Sequence, residues 1–194
     1  MEPFPIAVFL SGGGTTLQNL IDRIAAGTLP VRIVQVISSK ANAKGVERAR
    51  QAGLNIEIVQ GREFASVEAF SQRNFELCRE AGARLVCLAG YLQLLRIPED
   101  FRERVINIHP SLLPAFGGKG MYGHHVHEAV VKARAKTSGC TVHYVDDQYD
   151  HGEVIAQRAV PVEEGDTAES LAARVFEAEC ELYPEVISRL ASPR

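Results

Sequence analysis

Along the first two thirds of the chain, short unbroken apolar runs alternate with stretches of helical period. Residues 5–10 form one such run, which suits a strand covered on both faces. After a glycine-rich turn, Leu17, Leu20, Ile21 and Ile24 fall on one helical stripe, and Gly27 is placed to stop it. Residues 31–38 make a second β-rich run, and residues 43–52 have helix-forming composition that ends at Gly53. A short third strand is predicted over 56–59, then a helix over about 64–81. Residues 84–89 and 105–108 predict a fourth and a fifth strand. Strands alternating with helices imply βαβ units and a mostly parallel sheet with helices on both faces.

The pattern changes in the last third. Residues 141–145 and 154–160 both read as strands and flank a turn-rich loop, 146–153, without a helix between them. An antiparallel pair is therefore expected there rather than a crossover. Asp166-Thr167-Ala168-Glu169 resembles a capping box, after which Leu171, Val175, Ala178 and Leu182 keep helical spacing. Pro184 should kink or break that helix. With no internal repeat, low-complexity tract or linker, residues 1–194 read as one α/β domain.

Composition narrows the class. A chain of 194 residues with 46% apolar and 23% charged residues can bury a sizeable core and is ordinary for a soluble globular protein. The net charge is −3 and the Lys and Arg residues are scattered, which argues against nucleic acid as the main partner. No apolar run approaches a membrane span, and the first residues lack a signal-peptide pattern. Cys78, Cys87, Cys140 and Cys180 are too widely spaced for a zinc motif or a redox pair. Buried thiols in a reducing cytoplasm, and small molecules as partners, with neither membrane nor nucleic acid, are the expectation.

Three segments carry candidate chemistry. Ser11-Gly12-Gly13-Gly14-Thr15-Thr16 is a strand-to-helix turn whose backbone N–H groups and helix N-terminus could close on a phosphate; it could equally be a plain tight turn. It lacks the Gly-Lys-Ser/Thr of a nucleotide P-loop, and Leu17 stands where the dinucleotide pattern needs its last glycine. Asn107-Ile108-His109-Pro110-Ser111-Leu112-Leu113-Pro114 puts an amide and an imidazole two residues apart, so on an extended segment both project from the same face. Such a pair can work on a carbonyl, the amide donating to a developing oxyanion while the histidine moves or stabilises a proton. The bland alternative is a strand end whose Asn and His satisfy turn hydrogen bonds.

The acids of Asp146-Asp147-Gln148-Tyr149-Asp150-His151-Gly152-Glu153 are either turn formers or the source of a carboxylate that orients His109 and favours its charged form. Periodicity does not say which acid would face it. Residues 113–128, with Gly117, Gly118, Gly120 and Gly123, could be a mobile lid or a rigid irregular loop. His124, His125 and His127 fall at a predicted helix start with no acidic or cysteine ligand set beside them, so no metal is expected.

Taken together these segments resemble the folate-dependent formyltransferases. Asn107 to Pro114 carries the resemblance to the group as a whole. The opening Ser11-Gly12-Gly13-Gly14-Thr15-Thr16-Leu17-Gln18 and the segment from Ser39 to Ala49 point to its branch acting on glycinamide ribonucleotide. Leu88 to Leu92, Thr141-Val142-His143 and Asp150-His151-Gly152 extend the likeness over nearly the whole chain.

The resemblance implies a single-domain Rossmann-like fold and transfer of the formyl group of 10-formyltetrahydrofolate, as cosubstrate, to the amine of glycinamide ribonucleotide in purine synthesis. It implies Asn107, His109 and Asp150 as the catalytic set. The ribonucleotide would be held by Gly12, Gly13, Gly14, Thr15, Thr16 and Glu179. The folate would lie against Leu92, Gln93, Leu94, Leu95 and Val145, with Asn107 and Asp150 at its reactive end. The expected state is a monomer or homodimer.

Three departures from the family pattern bear on affinity. Thr15-Thr16 replaces the usual Ser-Asn, Leu92-Gln93 replaces a frequent Met-Arg, and the loop 117–125 is longer than in the shorter members. The alternative readings are another N-formyltransferase with an amino-sugar acceptor, or a formyltetrahydrofolate hydrolase. The hydrolase is expected to carry a domain before the first strand, and a tRNA-directed relative one after the last helix.

Overall fold

The computed structural model describes residues 2–192. In chain order it contains β1 (Phe4–Leu10), α1 (Thr15–Ala25), β2 (Val31–Ser38), α2 (Lys44–Gln51), β3 (Ile56–Ile58), α3 (Val67–Glu80), β4 (Leu85–Leu88), β5 (Val105–His109), α4 (His124–Lys132), β6 (Thr137–Tyr144), β7 (Val154–Pro161) and α5 (Ala168–Ala191). The strands form one seven-stranded sheet in the order β3-β2-β1-β4-β5-β6-β7. The pairs from β3 to β5 are parallel, while β6 pairs antiparallel with both β5 and β7.

The unbroken apolar run of β1 serves two cores at once. Ile6, Val8 and Leu10 enter a cluster with Leu17 and Leu20 of α1, Val126 and Val130 of α4, and Leu171, Val175 and Leu182 of α5. Ala7 and Phe9 face the other way, onto Phe70, Phe75 and Cys78 of α3. Strand β5 divides in the same manner: Ile106 and Ile108 belong to the first core, while Val105 belongs to the second. Period-two alternation therefore sends Asn107 and His109 out on the face of Val105.

Strand order reverses between β1 and β4, and in open α/β sheets the crevice beyond the strand ends at such a point is where ligands bind. Ser11 stitches the two strand ends there. Its N–H donates to the Gly90 carbonyl at 3.0 Å, its Oγ accepts from the Leu92 N–H at 2.9 Å, and Oγ lies 2.6 Å from Ser39 Oγ. Gly14 caps α1 in the left-handed region, and a Cβ there would lie 2.5 Å from Gly45 Cα. That contact explains a glycine at this position: it lets the starts of α1 and α2 approach backbone to backbone.

Several sequence expectations need correction. Of the two outcomes expected at Pro184, the break does not occur: α5 runs through it to Ala191. The carbonyl that a proline cannot satisfy lies four residues back, at Cys180, and α1 satisfies it from outside. Asn19 Nδ2 and Arg23 Nη2 each donate to it at 3.0 Å. The capping box is set one residue later than expected. Thr167 is the N-cap and exchanges bonds with Ser170, at 3.2 and 3.0 Å, while Asp166 instead holds Arg174 at 2.7 Å. A 3-10 turn occupies Gly61–Glu63, so α3 begins only after the Ser66 cap. Cys78, Cys87 and Cys140 are buried, but Cys180 is only partly so.

Candidate functional site

Register brings the site together. Asn107 of β5 stands opposite His143 of β6, and His109 opposite Thr141. The chain leaving β6 turns at Asp150, which takes φ +52°, a conformation that Asp tolerates better than most residues. Gly152 permits the return: a Cβ there would lie 1.9 Å from the Tyr144 carbonyl oxygen, and only a glycine fits. The outcome is a carboxylate facing the imidazole, with Asp150 Oδ1 3.4 Å from His109 Nδ1. Of the acids in the 146–153 loop, Asp150 is therefore the one that meets His109. Asp146 turns outward to His151, 2.6 Å away, and Asp147 Oδ1 accepts from the Ile97 N–H at 3.1 Å.

Each group has a second anchor. His109 Nε2 lies 2.9 Å from the Phe116 carbonyl oxygen, so a proton on Nε2 donates to it. Phe116 holds φ +55°, a strained setting for a bulky residue, and in it presents that carbonyl to the imidazole. Both ring nitrogens of His109 thus face acceptors. Asp150 Oδ2 accepts from the Gly118 N–H at 2.9 Å. Burial by itself would raise the Asp150 carboxyl, but the neighbouring imidazoles of His109 and His143, the charge of His109 and the Gly118 N–H outweigh it and hold Asp150 well below the usual carboxylate range.

His143 Nδ1 lies 2.8 Å from the Tyr144 carbonyl oxygen, which places its proton on Nδ1. Nε2 is then an acceptor and takes an N–H from Asn107 Nδ2, 3.1 Å away. That bond fixes the Asn107 amide with its nitrogen inward and leaves a second N–H of the same group free to donate. Sequence reasoning did not place His143 in the site. The signal was available in the Thr141-Val142-His143 alternation, once β6 is paired against β5.

The Pro-rich turn after His109 is held from below. Thr141 Oγ1 donates to the Ser111 carbonyl at 2.6 Å and accepts from the Leu113 N–H at 3.0 Å. Gln157 Nε2 reaches both Thr141 Oγ1 and the Leu113 carbonyl at 2.9 Å.

Three cavities surround this network. The largest, about 500 Å³, is lined by Leu92, Asn107, His109 and Asp150 and, from the glycine-rich loop, by residues 118–123. A narrow cleft of about 50 Å³ continues from it between Gln93, Leu94, Leu95, Val145 and Asp150. All the residues expected at the folate therefore border these two spaces. A third cavity of about 340 Å³ lies on the other side of Gly90, Ile108 and Pro110, and is lined by Thr15, Thr16, His124, His127 and Glu179. Of the residues expected at the ribonucleotide, Thr15, Thr16 and Glu179 line it, while Gly12, Gly13 and Gly14 do not. A Cβ on Gly12 or Gly13 would meet nothing within 4 Å, so the loop beside Thr15 has open space in front of it.

Burial pushes the Glu179 carboxyl up to about 8. Among the described residues, His, Cys, Asp and Glu form no group of three that could hold a metal ion. The histidines that open α4 pair with carboxylates instead, His124 with Glu128 at 3.4 Å and Glu169 at 3.5 Å, and His125 with Glu128 at 3.3 Å. No described helix is long and apolar enough to cross a membrane.

The family model described as formyl transferase matches residues 5–187, and the chain belongs to that family. The phosphoribosylglycinamide formyltransferase of Haemophilus influenzae is 35% identical over 184 residues, covering 94% of this chain and 84% of that protein. The chloroplastic phosphoribosylglycinamide formyltransferase of Arabidopsis thaliana is 38% identical over 97% of this chain. The chain spans 66% of that protein's length and 61% of its counterpart from Vigna unguiculata. Among solved structures, glycinamide ribonucleotide transformylase 1 from Symbiobacterium toebii superposes with a TM-score of 0.90 at 42% identity, covering 98% of this chain and 88% of that one.

Proposed function

We propose that this chain transfers the formyl group of 10-formyltetrahydrofolate to the amine of glycinamide ribonucleotide. The observation that carries the reading is the convergence of Asn107, His109 and Asp150 at the mouth of two connected clefts. The relatives named for this reaction support the choice of acceptor.

Formyl transfer needs three things of the protein: a donor for the oxyanion that develops at the formyl oxygen, a path for the amine proton, and exclusion of water as a competing acceptor. Asn107 supplies the first through the N–H that His143 leaves free. Its amide is already oriented, so little reorganisation accompanies charge development, and one such donor is worth about 10²–10³ in rate. His109 supplies a second donor from the same face of β5. Its Nε2–H must exchange the Phe116 carbonyl for the formyl oxygen, or be shared between them. Asp150 keeps the imidazole turned, and takes part in moving the amine proton toward the departing folate nitrogen.

The apolar walls of Leu92, Leu94, Leu95 and Val145 suit a flat aromatic ring system. On the other side of Pro110, the N-terminus of α1 with Thr15 and Thr16 suits the phosphate, and Glu179 the remainder of the ribonucleotide. No nucleic acid, membrane or metal enters this reading, and its setting is the cytoplasm.

The test is product analysis. Incubation with 10-formyltetrahydrofolate and glycinamide ribonucleotide should give the formylated nucleotide. Formate without acceptor consumption would make the protein a hydrolase, and a formylated amino sugar would place it with the sugar enzymes.

A further inference from the structure

The cavity that holds Thr15, Thr16 and Glu179 has a wall the reaction has not yet used. His127 lies in the second turn of α4 and is 5% exposed, between Val126 and Val130, which are both in the core. Its Nδ1 is sealed from solvent and has no hydrogen-bond partner among the described residues. Buried polar atoms are nearly always paired, so the unpaired Nδ1 bears on which ring nitrogen carries the proton. An orphaned N–H costs more than an orphaned lone pair, so the proton belongs on Nε2, which makes the ring a donor.

A second observation points to what the donor is for. Helices α1 and α4 both begin at this cavity, at Thr15 and at His124. Neither has a side-chain cap, and neither carries an acid in its first turn. Two sets of unpaired backbone N–H groups thus open onto one space, which is the electrostatic requirement of an anion. Burial, reinforced by His124 and His109, lowers the His127 imidazole and keeps it neutral, while burial keeps Glu179 protonated near neutral pH. Glu179 is the one carboxylate in the lining, and Glu128 and Glu169 nearby are paired with His124, so the wall offers donors to a phosphate.

We propose that His127 is a ligand-binding residue: its Nε2–H donates to a phosphate oxygen of the acceptor, closing from the α4 side an anion site that α1 opens. This rests on the ribonucleotide reading of the cavity and adds a residue to it. The phosphate is then gripped between two helices rather than by the glycine loop alone, and the hydroxyl-bearing Thr15-Thr16 pair does not stand by itself.

The experiment uses the full chain and two variants. His127→Leu keeps the bulk and removes the donor, whereas His127→Gln retains one. Dissociation constants for ribose 5-phosphate are measured by calorimetry, and KM and kcat for glycinamide ribonucleotide and for the phosphate-free riboside by turnover. For His127→Leu we expect about a tenfold or greater weakening toward ribose 5-phosphate and a matching rise in KM for the ribonucleotide. The riboside and folate constants should not move, and His127→Gln should recover most of the loss.

Unchanged ribose 5-phosphate affinity in His127→Leu overturns the proposal, as does an equal loss for nucleotide and riboside, which would mark a structural role. Failure of the wild type to bind ribose 5-phosphate overturns it too. Should His127→Leu not fold, the ¹⁵N shift of His127 Nε2 in the wild type decides: a shift on adding ribose 5-phosphate supports the contact, and none refutes it. Binding of ribose 5-phosphate without formyl transfer to either acceptor would count against the reaction assigned above and leave this contact standing.

Discussion

Two chambers meet across Gly90, Ile108 and Pro110, and they are finished differently. On one side Asn107, His109, His143 and Asp150 bond to one another or to fixed backbone groups at Phe116, Gly118 and Tyr144. On the other, His127 Nδ1 is an orphan among the described residues, burial alone sets the state of Glu179, and two helices begin uncapped. The first chamber is organised before any ligand arrives, as a site that stabilises transient charge must be. In the second, the His127 Nε2–H and the first N–H groups of α1 and α4 are donors that an anionic ligand would satisfy. Chemistry and binding are thus divided between neighbouring walls of one sheet edge.

The largest effect that would break this contrast lies in the organised chamber. Asp150→Asn preserves shape but removes the charge that turns His109, and turnover should fall by about 10²–10⁴. The same substitution has a stability signature. The folded carboxyl lies below the unfolded value of about 3.9, so between the two the unfolded chain binds more protons and stability rises with pH. Asp150 therefore contributes stability above roughly pH 4 that is lost as the pH falls, and Asp150→Asn should flatten the acid limb of a Tm-versus-pH curve. An unaltered acid limb with unaltered turnover would mean that the Asp150–His109 pair does no work.

A smaller effect sharpens the other half. Glu179 titrates near 8 in the folded chain against about 4.3 when unfolded. Between these values the folded state holds the extra proton, so stability is fully present below the unfolded value and falls as the pH rises toward 8. Glu179→Gln removes that dependence. Without ligand, its unfolding free energy should match that of the wild type near pH 4–5 and exceed it at pH 8 by on the order of 1 kcal/mol or more, with Tm following. Parallel Tm curves would show that Glu179 has a partner in solution and that the chamber is less incomplete than described.

Much of this arrangement was legible in the chain. The continuous apolar runs announced a two-sided parallel sheet, and the two-residue spacing of Asn107 and His109 announced a shared face. What local pattern could not supply was anything set by pairing or by distant satisfaction. His143 enters the site because β6 runs antiparallel to β5 in one register. Among four acids in one loop, Asp150 is selected by a positive φ and by the backbone crowding at Gly152. Pro184 sits inside a helix because Asn19 and Arg23, remote in sequence, take up the carbonyl it leaves open. His127 looked like one of three helix-start histidines, and burial sets it apart from His124 and His125.

The central claim is that a preorganised Asn107–His109–Asp150 cluster performs formyl transfer. The folate absorbance change in the presence of glycinamide ribonucleotide, for the wild type and for His109→Ala at matched thermal stability, tests it most directly. The account predicts acceptor-dependent turnover in the wild type and a loss of about 10³-fold or more in the variant, since the imidazole donates to the oxyanion and is the group that Asp150 holds in place. Near-normal turnover by a folded His109→Ala would contradict it.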